Sequence, residues 1–125
     1  MKASIKQQNL SAEFNTPEKC YITELSNSSD DPDLSIARAR VEPGVTTSWH
    51  RLNSTAERYY IIEGKGLVEI GDLQAQEISI GDVVVIPSMC RQRITNIGSV
   101  DLVFLAICTP RFSASNYENI EDIPV

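Results

Sequence analysis

An all-β domain, built as a barrel or a sandwich, is the fold class this sequence predicts, and two observations carry the prediction. From residue 34 onward, short β-branched and aromatic runs follow one another between Gly, Pro, Asn and Asp turn signals, at the close spacing of such folds. Nowhere does an apolar pattern of period 3.6 persist, so no long helix is expected.

The elements follow in chain order. Residues 1–19 are polar and weakly patterned, and "SNSSDDPD" (Ser26 to Asp33) combines turn formers with like charges, so residues 1–33 are expected to be an N-terminal arm and loop. Strands are expected in "LSIARARV", "RYYIIEG", "GLVEIG", "EISIGDVVVIP", "RQRITNIG" and "DLVFLAIC", which together define a barrel over residues 34–110. Gly44, Gly64 with Gly66, Gly71-Asp72, Gly81-Asp82 and Asn96-Ile97-Gly98 mark the connections. Residues 111–125 are expected to form an irregular tail, with Phe112 and Tyr117 as anchors and the acidic stretch around Glu118 and Glu121 solvated.

Length and charge limit the function. A chain of 125 residues fits one domain with a genuine core. Its 17 acidic against 11 basic side chains give a formal charge of −6, with no basic cluster to offset it, so nucleic acid and membrane partners are not expected. The N-terminus has no apolar signal-like run, and a cytoplasmic protein is the expectation. Cys20, Cys90 and Cys108 are an odd number without CxxC spacing and read as free thiols. For Cys90, a thiolate favoured by Arg91 and Arg93 is weighed against an inert thiol, which the lack of a histidine partner favours.

The chemistry converges on "PGVTTSWHRLNSTAERYYIIEG", which holds the chain's single histidine. Side chains two apart on a strand share a face, so His50 and Leu52 face one way, and Glu57, Tyr59 and Ile61 do so on the next run. An "NSTA" turn between the runs is expected to bring the two faces together. If His50, Glu57 and Gln92 lie inside a barrel, they must satisfy one another or meet a ligand, because a lone buried carboxylate is very costly. One arrangement is a hydrogen-bonded cluster in which Gln92 donates to Glu57; another is a bound metal ion. Tyr59, inward beside Glu57, reads as a core tyrosine with one hydrogen bond or as a donor to a ligand oxygen. Arg38 and Arg40 alternate with small apolar residues and are expected to face solvent or a subunit interface. Trp49 is expected to face opposite to His50.

Gly44, His50, Glu57 and Gly64 stand at the spacing of the first cupin motif, and the stretch resembles it in full register, with Leu52 where the second histidine belongs. "GDVVVIPSMCRQRITN" is similar to the second cupin motif through Gly81, Pro87 and Asn96, with Met89 in place of its glycine and Gln92 in place of its histidine. The resemblance extends over roughly residues 34 to 117. It implies a double-stranded β-helix, or jelly roll, with a pocket inside the barrel, and a homodimer. In members with the full motif, three histidines and the glutamate hold iron, manganese, zinc, nickel or copper. Here a metal set could draw only on His50, Glu57 and the weak oxygen of Gln92, which lowers the affinity expected for Mn, Fe, Zn or Ni. The resemblance therefore implies a small cytoplasmic cupin that binds a small polar molecule through His50, Glu57, Gln92 and Tyr59 without a complete metal site. The alternative it leaves is a metal-dependent enzyme of dioxygenase, isomerase or polyketide-cyclase type using His50 and Glu57.

Overall fold

The computed structural model describes residues 1–122; the end of the expected tail, residues 123–125, lies outside the described residues. Among these the chain forms eleven strands. They are β1 (Phe14–Asn15), β2 (Tyr21–Ser26), β3 (Ser35–Val41), β4 (His50–Leu52), β5 (Ala56–Glu63), β6 (Gly66–Ile70), β7 (Gln76–Ile78), β8 (Val83–Ile86), β9 (Gln92–Asn96), β10 (Leu102–Thr109) and β11 (Tyr117–Asn119). Among the described residues the helical content is two short 3-10 turns, Leu10–Ala12 and Ala114–Asn116. No helix among the described residues is long and apolar enough to cross a membrane.

Two antiparallel sheets face each other, one in the order β1-β2-β3-β10-β5-β8 and the other in the order β11-β4-β9-β6-β7. This is the double-stranded β-helix. Period-two alternation decides which residues lie between the sheets. Ala39, Val41, Tyr59, Ile61, Val84, Ile86, Leu102 and Phe104 from the larger sheet meet Val68, Ile70, Ile78 and Ile94 from the smaller one in a single buried cluster.

The strands expected from residue 35 onward are present, with "EISIGDVVVIP" divided into β7 and β8 by the turn at Gly81. The ends of the chain depart from expectation. Tyr21–Ser26, inside the segment read as arm and loop, pairs with β3 from Tyr21↔Arg40 to Ser26↔Ile36, and Tyr117–Asn119, inside the segment read as tail, pairs with β4. Both runs mix polar and apolar residues, and each gains its order from a neighbouring strand rather than from its own pattern. Glu118, expected to be solvated, accepts from Arg51 at 2.9 Å and from Asn53 at 3.0 Å. The "NSTA" segment is not a hairpin turn: β4 and β5 belong to opposite sheets, and the chain crosses between them there.

Arg38 and Arg40 point away from the barrel interior, as alternation requires, but solvent is not their main partner. Glu13 of the N-terminal segment bonds Arg40 at 2.6 and 3.0 Å and Arg38 at 3.4 Å. The Arg40 guanidinium holds the Glu13 carboxyl below the usual carboxylate range. Trp49 lies under two cations, with the Arg91 and Arg93 guanidinium carbons 4.7 and 4.4 Å from its ring centroid.

Two motif positions show why their residue type matters. Gly64 has φ +83°, and a Cβ there would lie 2.7 Å from the Asp101 carbonyl oxygen, so only glycine fits. Met89, where the second motif has glycine, also sits in the left-handed region at φ +67°, in a turn closed by Cys90 N–H donating to the Pro87 carbonyl. A left-handed side chain costs about 1–2 kcal/mol, against roughly 0.5–1 kcal/mol for glycine's greater entropy in the unfolded chain. Met89→Gly is therefore expected to raise stability by about 0.5–1 kcal/mol, measured by urea unfolding, and a net loss would show that Met89 contributes contacts that outweigh its strain.

Candidate functional site

The turn between β1 and β2 sets one wall of the site. Register pairs Phe14 with Ile22 and Asn15 with Tyr21, and the Thr16 N–H and hydroxyl both donate to the Cys20 carbonyl, at 2.9 and 2.7 Å. Lys19 takes φ +72° to close the turn. Glu18 is thereby carried over the open end of the barrel, where its carbonyl accepts from Ser48 N–H at 3.1 Å.

His50 is 5% exposed and held from both sides. Its Nδ1 lies 2.7 Å from the Ser48 carbonyl oxygen, which can only accept, so Nδ1 carries the hydrogen. The Nε2 lone pair then faces Glu18 Oε2 at 3.4 Å, and Tyr117 stacks on the ring with centroids 5.3 Å apart. Leu52 is buried on the same face of β4. Register places His50 opposite Gln92 and Glu57 opposite Cys108.

The predicted cluster of His50, Glu57 and Gln92 assembles differently from the expected hydrogen-bond scheme. Gln92 does not donate to Glu57: its Oε1 accepts from the Tyr59 hydroxyl, while its Nε2 and Glu57 Oε1 are both buried without partners. Nor does His50 orient either of them, being tied to Ser48 and Glu18. Tyr59 makes the single hydrogen bond of a core tyrosine. Cys108 Sγ lies 3.7 Å from Glu57 Oε2. Burial pushes the Glu57 carboxyl up to about 7, against the opposing pull of His50. Burial also raises Glu18, again against His50. The Cys20 and Cys108 thiols are raised by burial, as is the partly exposed Cys90, which leaves none of the three poised as a thiolate.

A cavity of about 320 Å³ opens beside this group. Glu18, His50 and Glu57 border it, with Glu24 at its exposed rim and an apolar wall that includes Phe14, Ile22, Leu52, Phe112 and Tyr117. Tyr59 borders a smaller space of about 40 Å³ that shares Glu18, His50 and Glu57. Gln92 is reached through Tyr59. Glu18 and Tyr117 were not expected as site residues: neither lies in a motif, and only the pairing of β1 with β2 and of β11 with β4 brings them here.

The donor set does not fit a tightly held transition metal. Leu52 offers no ligand atom, the Gln92 oxygen is engaged by Tyr59, and His50 Nε2 is directed at Glu18. Among the described residues no three His, Cys, Asp or Glu side chains converge as a ligand group.

Two facing antiparallel sheets, the two glycine-framed motifs and an interior cavity define a cupin. The sequence matches the cupin domain family over residues 37–108, and the chain belongs to that family. It is 37% identical over 87 residues to the uncharacterised protein MJ1618 of Methanocaldococcus jannaschii, covering 70% of this chain and 69% of that one. Among solved structures it resembles KdgF from Halomonas sp., with a TM-score of 0.79 at 16% identity, covering 91% of this chain and 99% of the other. It also resembles Pac13, a Streptomyces nucleoside dehydratase, with a TM-score of 0.75 at 15% identity, covering 97% and 95%. At these identities the likeness to the two structures is one of fold.

Proposed function

We propose that this cupin holds a small organic molecule in its cavity and moves a proton to or from it through the Glu18–His50 pair, as an enzyme of lyase or isomerase type. The observation that carries this reading is the orientation of His50: Nδ1–H is committed to the Ser48 carbonyl, and Nε2 faces Glu18 at 3.4 Å. Neutral imidazole accepts a proton at Nε2, and the carboxylate stabilises the imidazolium that forms. The separation is longer than a closed hydrogen bond, which leaves room for a substrate atom to approach.

In the simplest step, a C–H next to a carbonyl gives its proton to Nε2 and its electron pair moves to the carbonyl oxygen. Tyr117, whose hydroxyl has no partner and which burial keeps protonated, is the donor suited to that oxygen. The enolate is then reprotonated, giving an isomer, or expels a β-substituent, giving an elimination. That Pac13, a cupin of similar fold, is a nucleoside dehydratase supports elimination as the reaction class. The metal-dependent alternative on His50, Glu57 and Gln92 is disfavoured by the donor set described above.

Nitrogen NMR of the only histidine tests the orientation directly. At alkaline pH the neutral ring is expected as the Nδ1–H tautomer, and a dominant Nε2–H form would remove the proposed base. For the chemistry, a panel of ketones and β-hydroxy carbonyl compounds in D2O is expected to yield at least one that gains deuterium at carbon, with the rate reduced about 100-fold or more in Glu18→Gln and His50→Gln. Equal exchange in those folded variants would overturn the assignment.

We further propose a cytoplasmic homodimer without nucleic acid or membrane partners. The charge of −6 supports the latter. For the dimer, β8 is an edge strand whose outer face, with the neighbouring β5, exposes Tyr60, Ile62, Val83 and Val85 at 42, 39, 59 and 63%. An open apolar edge is the feature a second copy would cover. Sedimentation is expected to show a dimer for the native chain and a folded monomer for Val83→Glu with Val85→Glu; a native monomer would sink the idea.

A further inference from the structure

We infer that the cavity takes an organic cation, a small amine with an apolar body, seated against Glu57 and Glu18; this rests on the cavity being the binding site proposed above. The charges bordering the cavity are of one sign. Glu18 and Glu57 lie within and Glu24 at the rim, whereas no Lys or Arg side chain borders the space. The nearest guanidiniums are otherwise engaged. Arg38 and Arg40 face outward to Glu13, and Arg111 donates to Asn27 Oδ1 at 2.7 Å. His50, the one other basic group, is matched by Glu18.

A second, independent observation points to a missing partner. Glu57 borders the cavity, is 9% exposed, and its Oε1 makes no hydrogen bond. A carboxyl in that position needs a donor, and an ammonium supplies three together with the opposite charge. An anionic ligand would instead meet two carboxyls inside the barrel, where repulsion is screened less than at the open surface. Phe14, Phe112 and Tyr117 supply flat apolar surfaces for the body of the ligand and, beside its charge, electron-rich ring faces.

Three isosteres of one body separate the alternatives: phenethylamine, 2-phenylethanol and phenylacetate, titrated into the full chain by calorimetry with ligand NMR as a check. The amine is expected to bind about tenfold or more tightly than the alcohol, with the acid weakest. Glu57→Gln and Glu18→Gln are each expected to reduce that preference while leaving alcohol binding in place. An alcohol that binds as well as the amine overturns the charge inference and leaves the cavity reading standing. So does an acid that binds best, or an amine preference that survives both substitutions. Mn²⁺ alone forms a further arm: if it binds in a Glu57-dependent manner and the amine does not, the cation is a metal ion and the inference fails. No binding by any of the three compounds also overturns it, while proton transfer is judged separately by the tautomer of His50.

Discussion

Asn96→Ala is expected to lower the unfolding free energy by about 3–4 kcal/mol, a large part of what holds a domain of this size together. Asn96 is 1% exposed and ends β9. Its Nδ2 donates to the Val41 and Val100 carbonyls, both at 2.8 Å, and its Oδ1 accepts from Gly98 N–H at 2.9 Å. It thus ties the end of β3 to the turn before β10. Alanine leaves three backbone groups without partners, and burial prevents water from replacing all of them. Asn96→Asp sharpens the test, because a carboxylate would face two carbonyl oxygens with no hydrogen to offer them. Its folded pKa would be raised, so its stability should fall as pH rises from the ordinary aspartate value to that raised value. Urea unfolding checks both variants, and a loss below about 1 kcal/mol for the alanine would show that solvent reaches the site.

Glu57 is expected to make the protein less stable as pH rises from mildly acidic to neutral. Burial lifts its carboxyl to about 7 in the folded chain, from the ordinary value of 4.5. Below the ordinary value it is protonated in both states and contributes nothing. Between the two values only the folded state keeps the proton, so stability declines with pH, and above the upper value the full penalty of about 3 kcal/mol is present. Glu57→Gln should therefore match the native chain near pH ~4 and exceed it by up to about 3 kcal/mol near pH ~8. Glu18, also raised, adds a slope of the same sign that only Glu18→Gln removes. Glu13, lowered by Arg40, and Glu118, lowered by its hydrogen bonds from Asn53 and Arg51, act in the opposite sense at lower pH and cancel in the comparison. Denaturation of native chain and variant across this range decides the matter, and parallel curves would mean that Glu57 is ionised in the fold without penalty. The same penalty is what a cationic ligand would relieve.

Much of this molecule was legible in the sequence. Gly44, Gly64, Gly81, Pro87 and Asn96 are spaced by the turns of a double-stranded β-helix, and the Gly64 turn and the Asn96 bridge explain why two of those residues cannot easily change. Period-two alternation correctly turned Arg38 and Arg40 outward and His50, Glu57 and Tyr59 inward, because a strand presents successive side chains to opposite faces. Alternation gives a face, however, and not a partner. It could not show that Gln92 would accept from Tyr59 rather than donate to Glu57, since that depends on which strands from opposite sheets lie across the interior.

The sequence by itself determined the architecture, the inward placement of the single histidine and its glutamate, and the loss of two ligand positions at Leu52 and Gln92. Only the tertiary structure decided what replaces them. Glu18 and Tyr117 sit 32 and 67 residues from His50 in the chain, in segments with no repeating pattern of their own, and reach it because β1 pairs with β2 and β11 with β4. Contacts of that separation arise from sheet closure, in which the register of one strand is set by its neighbour, and no local property of residues 14–20 or 111–120 encodes them. What the fold places there is His50 facing Glu18 at the border of a cavity lined by carboxyls, where a full cupin motif would gather metal ligands.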